Sequence, residues 1–129
     1  MQWSRTVILL SISFCLVDSE VQHVLVKGIT MCNKLRTTAK VQLFDADTLD
    51  PDDHLNSTVT NDVGEFEVFG SEDEIGYISP YVIISHQCRT EKNCYRFSKY
   101  YVPQSSINGV YDMTFISLDI VTADEKEIC

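Results

Sequence analysis

Basic residues are scarce in this chain. Ten lysines and arginines face nineteen aspartates and glutamates, which gives a formal net charge of −9 at pH 7. Nucleic-acid-binding domains need a basic face, so this balance argues against a nucleic-acid partner, and it also argues against simple electrostatic binding to anionic lipid. Beyond the first 19 residues there is no long apolar run, no heptad pattern, no internal repeat and no low-complexity segment. A transmembrane helix needs about 20 apolar residues, so no membrane-spanning segment is expected.

The N-terminal segment has the layout of a secretory signal peptide. Arg5 precedes an apolar run over residues 7–17, and the small residue Ser19 follows it. A charged start, a short apolar stretch and a small residue at the cleavage site are typical of such signals. We therefore predict a signal peptide over residues 1–19, one domain over residues 20–129, and secretion to the extracellular region. On that route Asn56, in the triplet Asn56-Ser57-Thr58, is a predicted N-glycosylation site.

The cysteines divide into one that a signal peptide would remove and four that remain. Cys15 lies in the apolar run, which leaves an even set in the predicted mature chain. An even number of cysteines in a small secreted domain indicates disulfides. Zinc binding is disfavoured because no two of them have the spacing of a C-x-x-C pair. The four predicted disulfide residues are Cys32, Cys88, Cys94 and Cys129.

Short segments rich in β-branched and aromatic residues follow one another along the chain, separated by turn residues. About seven such strands with turns every 8–12 residues predict an all-β sandwich. Two acidic stretches, residues 45–53 and 71–76, are expected to be connections, and the second has room for one helical turn. The predicted strands are residues 24–32, 39–44, 57–60, 65–69, 81–88, 94–102 and 111–118.

A linear pattern through these segments resembles the nematode transthyretin-like family. The pattern consists of Val26-Lys27-Gly28 before Cys32, Lys40-Val41-Gln42-Leu43-Phe44-Asp45-Ala46-Asp47, Pro51-Asp52-Asp53, Thr60-Asn61-Asp62-Val63-Gly64-Glu65-Phe66, Pro80-Tyr81, His86-Gln87-Cys88, Cys94, Tyr111-Asp112 and Cys129. The resemblance covers essentially all of residues 20–129. It implies a transthyretin-like sandwich of two antiparallel sheets, with the four cysteines gathered at one edge. It favours the pairs Cys32–Cys88 and Cys94–Cys129, while Cys88–Cys94 with Cys32–Cys129 stays open as the rival connectivity.

Catalysis is not expected. A sister branch of the transthyretin fold hydrolyses 5-hydroxyisourate with histidines, an arginine and a C-terminal Tyr-Arg-Gly-Ser, whereas this chain ends Asp124-Glu125-Lys126-Glu127-Ile128-Cys129. No Ser/His/Asp constellation in a recognisable context replaces that signature. His86 lies in an apolar strand, where it is either a hydrogen-bonded core histidine or a pH-sensitive ligand contact.

An acidic loop offers the one candidate metal site. Clustered carboxylates suit Ca²⁺, which takes six to eight oxygen ligands. The spacing is not that of an EF-hand, so the alternative is a solvated acidic turn whose aspartates cap local amides. No cofactor is expected, and Ca²⁺ is the one candidate ion. The candidate ligands are Asp45, Asp47, Asp50, Asp52 and Asp53.

Basic residues cluster in sequence around two of the cysteines. In the topology that the resemblance implies, they lie at the cysteine edge, with the acidic loops mostly at the opposite end. Such a polarised domain suits a binding role at the basic edge. The candidate binding residues are Lys34, Arg36, Arg89, Lys92 and Arg96.

The resulting functional prediction is a secreted, non-catalytic extracellular binding protein. It would act through protein contacts at the cell surface or in extracellular fluid. Two alternatives stay open: an adaptor that bridges an anionic phospholipid surface, phosphatidylserine, to a receptor, and a carrier of a small hydrophobic ligand. The sequence does not define an oligomeric state.

Overall fold

The computed structural model describes residues 20–129, so the predicted signal peptide over residues 1–19 and its Cys15 lie outside the described residues. The described chain contains nine strands, one short 3-10 turn at Gln104–Ser106 and no α-helix. Seven of the strands have six or more residues, which matches the number of strands that the sequence predicts; β4 begins at Asp53, earlier than the predicted segment 57–60. The strands are β1 (Glu20–Cys32), β2 (Leu35–Arg36), β3 (Lys40–Asp45), β4 (Asp53–Val59), β5 (Glu65–Glu74), β6 (Pro80–His86), β7 (Tyr95–Tyr101), β8 (Gly109–Ser117) and β9 (Lys126–Ile128).

The strands form two sheets. In the first sheet β1 is central and pairs with β5, β8 and the short β2. The second sheet has the order β4-β3-β6-β7-β9. The prediction of a two-sheet β-sandwich is confirmed. One detail differs from a purely antiparallel sandwich, because β1 and β8 run parallel.

The core lies between the sheets because alternate residues of each long strand face inward. On β1 the buried positions include Val24 and Val26, and on β3 they are Val41 and Leu43, all fully buried. Alternation of this kind is what a strand with one buried face requires. The buried apolar cluster comprises Val24, Val26, Ala39, Val41, Leu43, Phe66, Val68, Val82, Ile84, Cys88, Val102, Ile116 and Leu118.

The end of β5 corrects one sequence prediction. Residues 71–74 were expected to be part of an acidic connection with room for a helical turn, yet β5 continues to Glu74. The register explains the difference, because Gln22 pairs with Glu72 and Glu20 with Glu74 on the long β1. Hydrogen bonds from β1 thus extend the strand through polar residues that have low strand propensity on their own. Glu72 and Glu74 continue the inward-facing series that begins at Phe66.

None of the helical segments in residues 20–129 has the length and apolar character needed to cross a membrane.

Candidate functional site

Both disulfides lie at one end of the sandwich, which we call the cysteine end. Cys32 at the end of β1 is bonded to Cys88 just after β6, with Cα atoms 5.7 Å apart. This bond links the first sheet to the second. Cys94, just before β7, is bonded to Cys129, which follows β9. The connectivity is the one that the resemblance favours.

Beside these bonds lies a buried polar network. His86 Nε2 and Ser98 Oγ are 2.9 Å apart, and Ser98 Oγ donates to Glu125 at 2.8 Å. His86 Nδ1 accepts the backbone N–H of Cys88 at 3.0 Å, so the ring carries its proton on Nε2 and donates it to Ser98. Burial, aided by the charge of Arg96 and opposed by Glu125, lowers the pKa of His86 to about 4. The geometry is that of a satisfied, neutral core histidine.

The network does not have the arrangement of a catalytic triad. In a triad the histidine lies between the nucleophile and the carboxylate. Here Ser98 lies between His86 and Glu125, and both His86 and Ser98 are buried away from solvent. The sequence analysis missed Ser98 and Glu125 because a contact across 27 residues has no local pattern.

Arg96 belongs to this network, and its assignment to an exposed basic edge needs correction. Its guanidinium donates to both carboxylate oxygens of Glu125, at 2.8 and 2.9 Å, and to the carbonyl oxygen of Cys88 at 2.7 Å. The side chain is only 4% exposed. Arg96 occupies an inward-facing position of β7, so alternation along the strand places it in the interior. The hydrogen bonds that Arg96 donates to Glu125 raise the pKa of Arg96. Burial disfavours the charge of Glu125, but the bonds donated by Arg96 and Ser98 lower the pKa of Glu125 overall.

The other four basic residues are exposed at the cysteine end. Lys34 occupies the turn between β1 and β2, and Lys92 lies in the loop between the two cysteines that flank residues 89–93. Arg89 Nε is 2.9 Å from Asp119 Oδ2, and the same carboxylate accepts the backbone N–H of Asn33. These bonds tie the turn before β2 to the loop after β6.

An open groove of about 600 Å³ runs between these segments. Lys34 and Arg89 supply positive charge, while Phe115, 60% exposed, supplies an apolar wall. The guanidinium of Arg36 stands 5.9 Å from the centre of the Phe115 ring, which is within cation–π range. The groove is lined by Met31, Asn33, Lys34, Arg89, Phe115, Ser117 and Asp119.

The opposite end of the sandwich carries a cluster of acidic groups. Asp45 is fully buried at the inward-facing end of β3, and Glu72 and Glu74 face it from β5. One carboxylate oxygen from each of these three residues lies within 4.8 Å of the others, and the same holds for Asp45, Asp47 and Asp53. We call these five residues the carboxylate cluster: Asp45, Asp47, Asp53, Glu72 and Glu74.

The predicted loop ligands divide between the cluster and its surroundings. Asp45, Asp47 and Asp53 belong to the cluster, whereas Asp50 is exposed in the loop. Asp52 accepts the backbone N–H of Asp47 at 3.0 Å and a hydrogen bond from the Tyr81 hydroxyl. The Tyr81 bond, followed by the Asp47 amide, lowers the pKa of Asp52. Asp52 therefore stabilises the conformation of the loop and is not a member of the carboxylate cluster.

The predicted glycosylation residue Asn56 lies on β4, the edge strand of the second sheet. Its side chain is exposed, and Nδ2 donates to the carbonyl oxygen of Phe69 at 2.8 Å. Its Oδ1 accepts the backbone N–H of Ser57. Occupancy by a glycan stays a prediction.

Comparison with known proteins decides the family. A model of the transthyretin-like family matches residues 27–103, more than half of the chain. The chain belongs to the transthyretin-like family. It is 46% identical to Transthyretin-like protein 16 of Caenorhabditis elegans over 127 residues, covering 95% of this chain and 96% of that protein. Identity to Transthyretin-like protein 5 of the same nematode is 36%, over 84% of this chain and 89% of that one.

The matched residues run from the middle of β1 to just beyond β7, so β8 and β9 lie outside the match. Among solved structures, a 9R-lipoxygenase from Cyanothece aligns over 92% of this chain and 21% of its own, at 12% identity and a TM-score of 0.40. A likeness this weak carries no argument. Membership of the transthyretin-like family supports an extracellular protein and assigns no ligand.

Proposed function

We propose that this transthyretin-like chain is a secreted, non-catalytic binding protein that contacts a protein partner through its cysteine end. The observation that carries the proposal is the open groove in which Lys34 and Arg89 flank the exposed ring of Phe115. Exposed aromatic residues beside arginine are the side chains that contribute most to protein–protein binding. The Cys32–Cys88 bond fixes the strand ends that frame the groove, which limits the entropy lost on binding.

The charge distribution indicates the chemistry of the partner. Four exposed cations lie at the cysteine end, whereas the carboxylate cluster lies at the other end of a chain with a net charge of −9. An acidic partner would be attracted to the first end and repelled by the rest of the surface. Complementarity of this kind orients the encounter and raises the association rate more than it raises affinity.

Binding to intact nematode cells tests the proposal. The fluorescently labelled chain, recovered from a secreting host, is incubated with cells before and after surface proteolysis. We expect binding that proteolysis removes, that Lys34→Glu weakens several-fold, and that Lys126→Glu leaves unchanged. Lys126 is a matched control because it is an exposed lysine on β9, outside the groove. Equal binding by both variants, or binding that survives proteolysis, would contradict a protein partner at this groove.

A phospholipid surface is the second candidate, and the apolar residues around the groove favour it. Leu35 is 71% exposed in the hairpin beside Lys34, and Phe115 is 60% exposed. Cations next to projecting apolar side chains suit an interface between anionic headgroups and acyl chains. Under this proposal the chain bridges phosphatidylserine to a receptor.

Flotation with vesicles separates the two candidates. Phosphatidylserine vesicles and phosphatidylcholine vesicles are each tested with Ca²⁺ and with chelator. Selective flotation with phosphatidylserine that Lys34→Glu abolishes supports the adaptor. Absence of flotation in all four conditions rejects it. A carrier of a small hydrophobic ligand draws less support, because packed side chains fill the space between the sheets in residues 20–129.

Secretion with removal of residues 1–19 is part of the same proposal. The N-terminal residue of the secreted chain, measured by mass spectrometry, is expected to be Glu20. The same spectrum reports Asn56, because a glycan there adds mass that peptide N-glycosidase removes and that Asn56→Gln prevents. An unprocessed N-terminus would contradict the signal peptide.

A further inference from the structure

Two strands from different sheets bring inward-facing acidic residues together at the end opposite the disulfides. Alternation on β3 places Asp45 after Val41 and Leu43 on the inner face, and alternation on β5 places Glu72 and Glu74 after Phe66 and Val68. Inward positions of a sandwich ordinarily hold apolar side chains. Carboxylates of like charge repel each other and lose hydration there, so their assembly calls for a compensating positive species.

Unpaired carboxylate oxygens point to the same conclusion independently. Asp45 is fully buried. Its Oδ1 accepts the backbone N–H of Ser79 at 2.7 Å, whereas its Oδ2 has no hydrogen-bond donor among residues 20–129. The Oε2 atom of Glu72 is likewise buried and without a donor. Buried polar atoms are nearly always paired, so each of these oxygens is an open coordination position. Both residues contribute an oxygen to the carboxylate cluster.

We propose that the carboxylate cluster is a Ca²⁺ site, with Asp45 as the central ligand between Asp47 and Asp53 on one side and Glu72 and Glu74 on the other. The donor set contains only oxygens, with no histidine or cysteine, which selects a hard cation. Five carboxylates on three chain segments suit the flexible, high coordination number that Ca²⁺ accepts and the smaller Mg²⁺ does not. The assignment is independent of the partner proposed for the cysteine end.

Protons compete with the cation for these oxygens. The adjacent Asp45 carboxyl group, together with burial, raises the pKa of Glu72 to about 8. Burial, together with the nearby Asp45 carboxyl group, raises the pKa of Glu74 to about 7. The neighbouring charged and titratable groups are Glu20, Asp50, Asp52, Tyr81 and Lys99. A cation bound among these oxygens would offset the repulsion between the carboxylates.

Calorimetric titration of the full secreted chain with CaCl₂ tests the site. We expect a dissociation constant of about 0.1–1 mM, the range of extracellular Ca²⁺ modules, and much weaker binding of MgCl₂. Asp45→Asn should weaken Ca²⁺ binding at least tenfold, whereas Asp73→Asn should leave it unchanged. Asp73 is a matched control because it lies between Glu72 and Glu74 on β5 but faces outward.

Thermal unfolding provides a second measurement, and a substitute variant is available if Asp45→Asn does not fold. Saturating Ca²⁺ should raise the unfolding midpoint of the wild-type chain by about 5 °C and that of Asp73→Asn by the same amount. If Asp45→Asn fails to fold, Glu72→Gln with Glu74→Gln serves in its place and should lose the Ca²⁺-dependent shift. Absence of a binding heat and of a midpoint shift up to 10 mM CaCl₂ at pH 8 would overturn the proposal and leave a cluster that holds protons only. Equal shifts in wild-type and cluster variants would overturn it as well.

Discussion

At the residue scale, the ion pair between Arg96 and Glu125 is the most consequential interaction at the cysteine end. Both side chains are less than one-tenth exposed, and their two hydrogen bonds satisfy a charge that the interior would otherwise not accept. We expect Arg96→Met to lower the unfolding free energy by about 3–5 kcal/mol, because it leaves the Glu125 carboxylate buried without a cation. Urea unfolding of the oxidised protein measures the effect.

A double variant distinguishes the cost of leaving one charge buried and unpaired from the cost of removing the ion pair as a whole. Arg96→Met combined with Glu125→Leu removes both charges and should recover much of the stability. Arg89→Met, which breaks the exposed pair with Asp119, should cost far less than Arg96→Met. An exposed-pair effect as large as the buried one would contradict the assignment of Arg96 to the core.

His86 should make the domain sensitive to acid. Its pKa is lowered to about 4 in the folded chain, against about 6.5 in the unfolded chain, so the unfolded state binds the proton first. Neutral His86 contributes about 3 kcal/mol to the unfolding free energy above pH 6.5, and this contribution is lost as the pH falls toward 4. His86→Gln should flatten this part of the stability profile, while His54→Gln, on the exposed β4, should not. Profiles of equal slope for wild type and His86→Gln would contradict this cause.

At the scale of elements, Gly64 determines whether β5 can begin where it does. It closes the turn after Asn61 with φ of +78°, and a Cβ atom there would lie 2.6 Å from the carbonyl oxygen of Thr30 on β1. Gly64→Ala should therefore destabilise the domain by more than about 1 kcal/mol, since it combines a disfavoured φ with a backbone clash. Gly76→Ala is the matched control, because Gly76 has φ of +90° but, its two chain neighbours aside, no described residue has an atom within 4 Å of its Cβ position. Urea unfolding should give a much lower unfolding free energy for Gly64→Ala than for Gly76→Ala.

The elements also show why sequence reasoning succeeds in part. Alternation predicts β1, β3 and β6 because their inner positions are apolar, as with Val24, Val41 and Ile84. It fails at the end of β5, where the inner positions are Glu72 and Glu74 and the strand depends on its pairing with β1. The Ser98–Glu125 contact joins residues that only the tertiary fold brings together. A useful signal was present in the unbroken alternation from Phe66 through Gly70 to Glu74, which points acidic residues inward.

At the scale of the whole molecule, the two disulfides have different structural roles. Cys32–Cys88 joins the two sheets across a sequence separation of 56, whereas Cys94–Cys129 fastens the C-terminal segment to β7 within one sheet. Loop-closure entropy assigns about 4 kcal/mol to either bond. Removing each bond should nevertheless destabilise a different share of the structure, because only Cys32–Cys88 constrains both sheets of the sandwich.

Hydrogen exchange should reveal this difference. Replacing Cys94 and Cys129 with serine should lower amide protection in β9 and along the β7 edge while β1 and β5 keep theirs, since those strands lie in the other sheet. Replacing Cys32 and Cys88 should lower protection throughout both sheets and reduce the stability of the groove that Lys34 and Phe115 line. Binding at the cysteine end should then fall more in the second variant than in the first. Uniform loss of protection in both variants would mean that the sandwich unfolds as one unit and that the bonds act only through chain entropy.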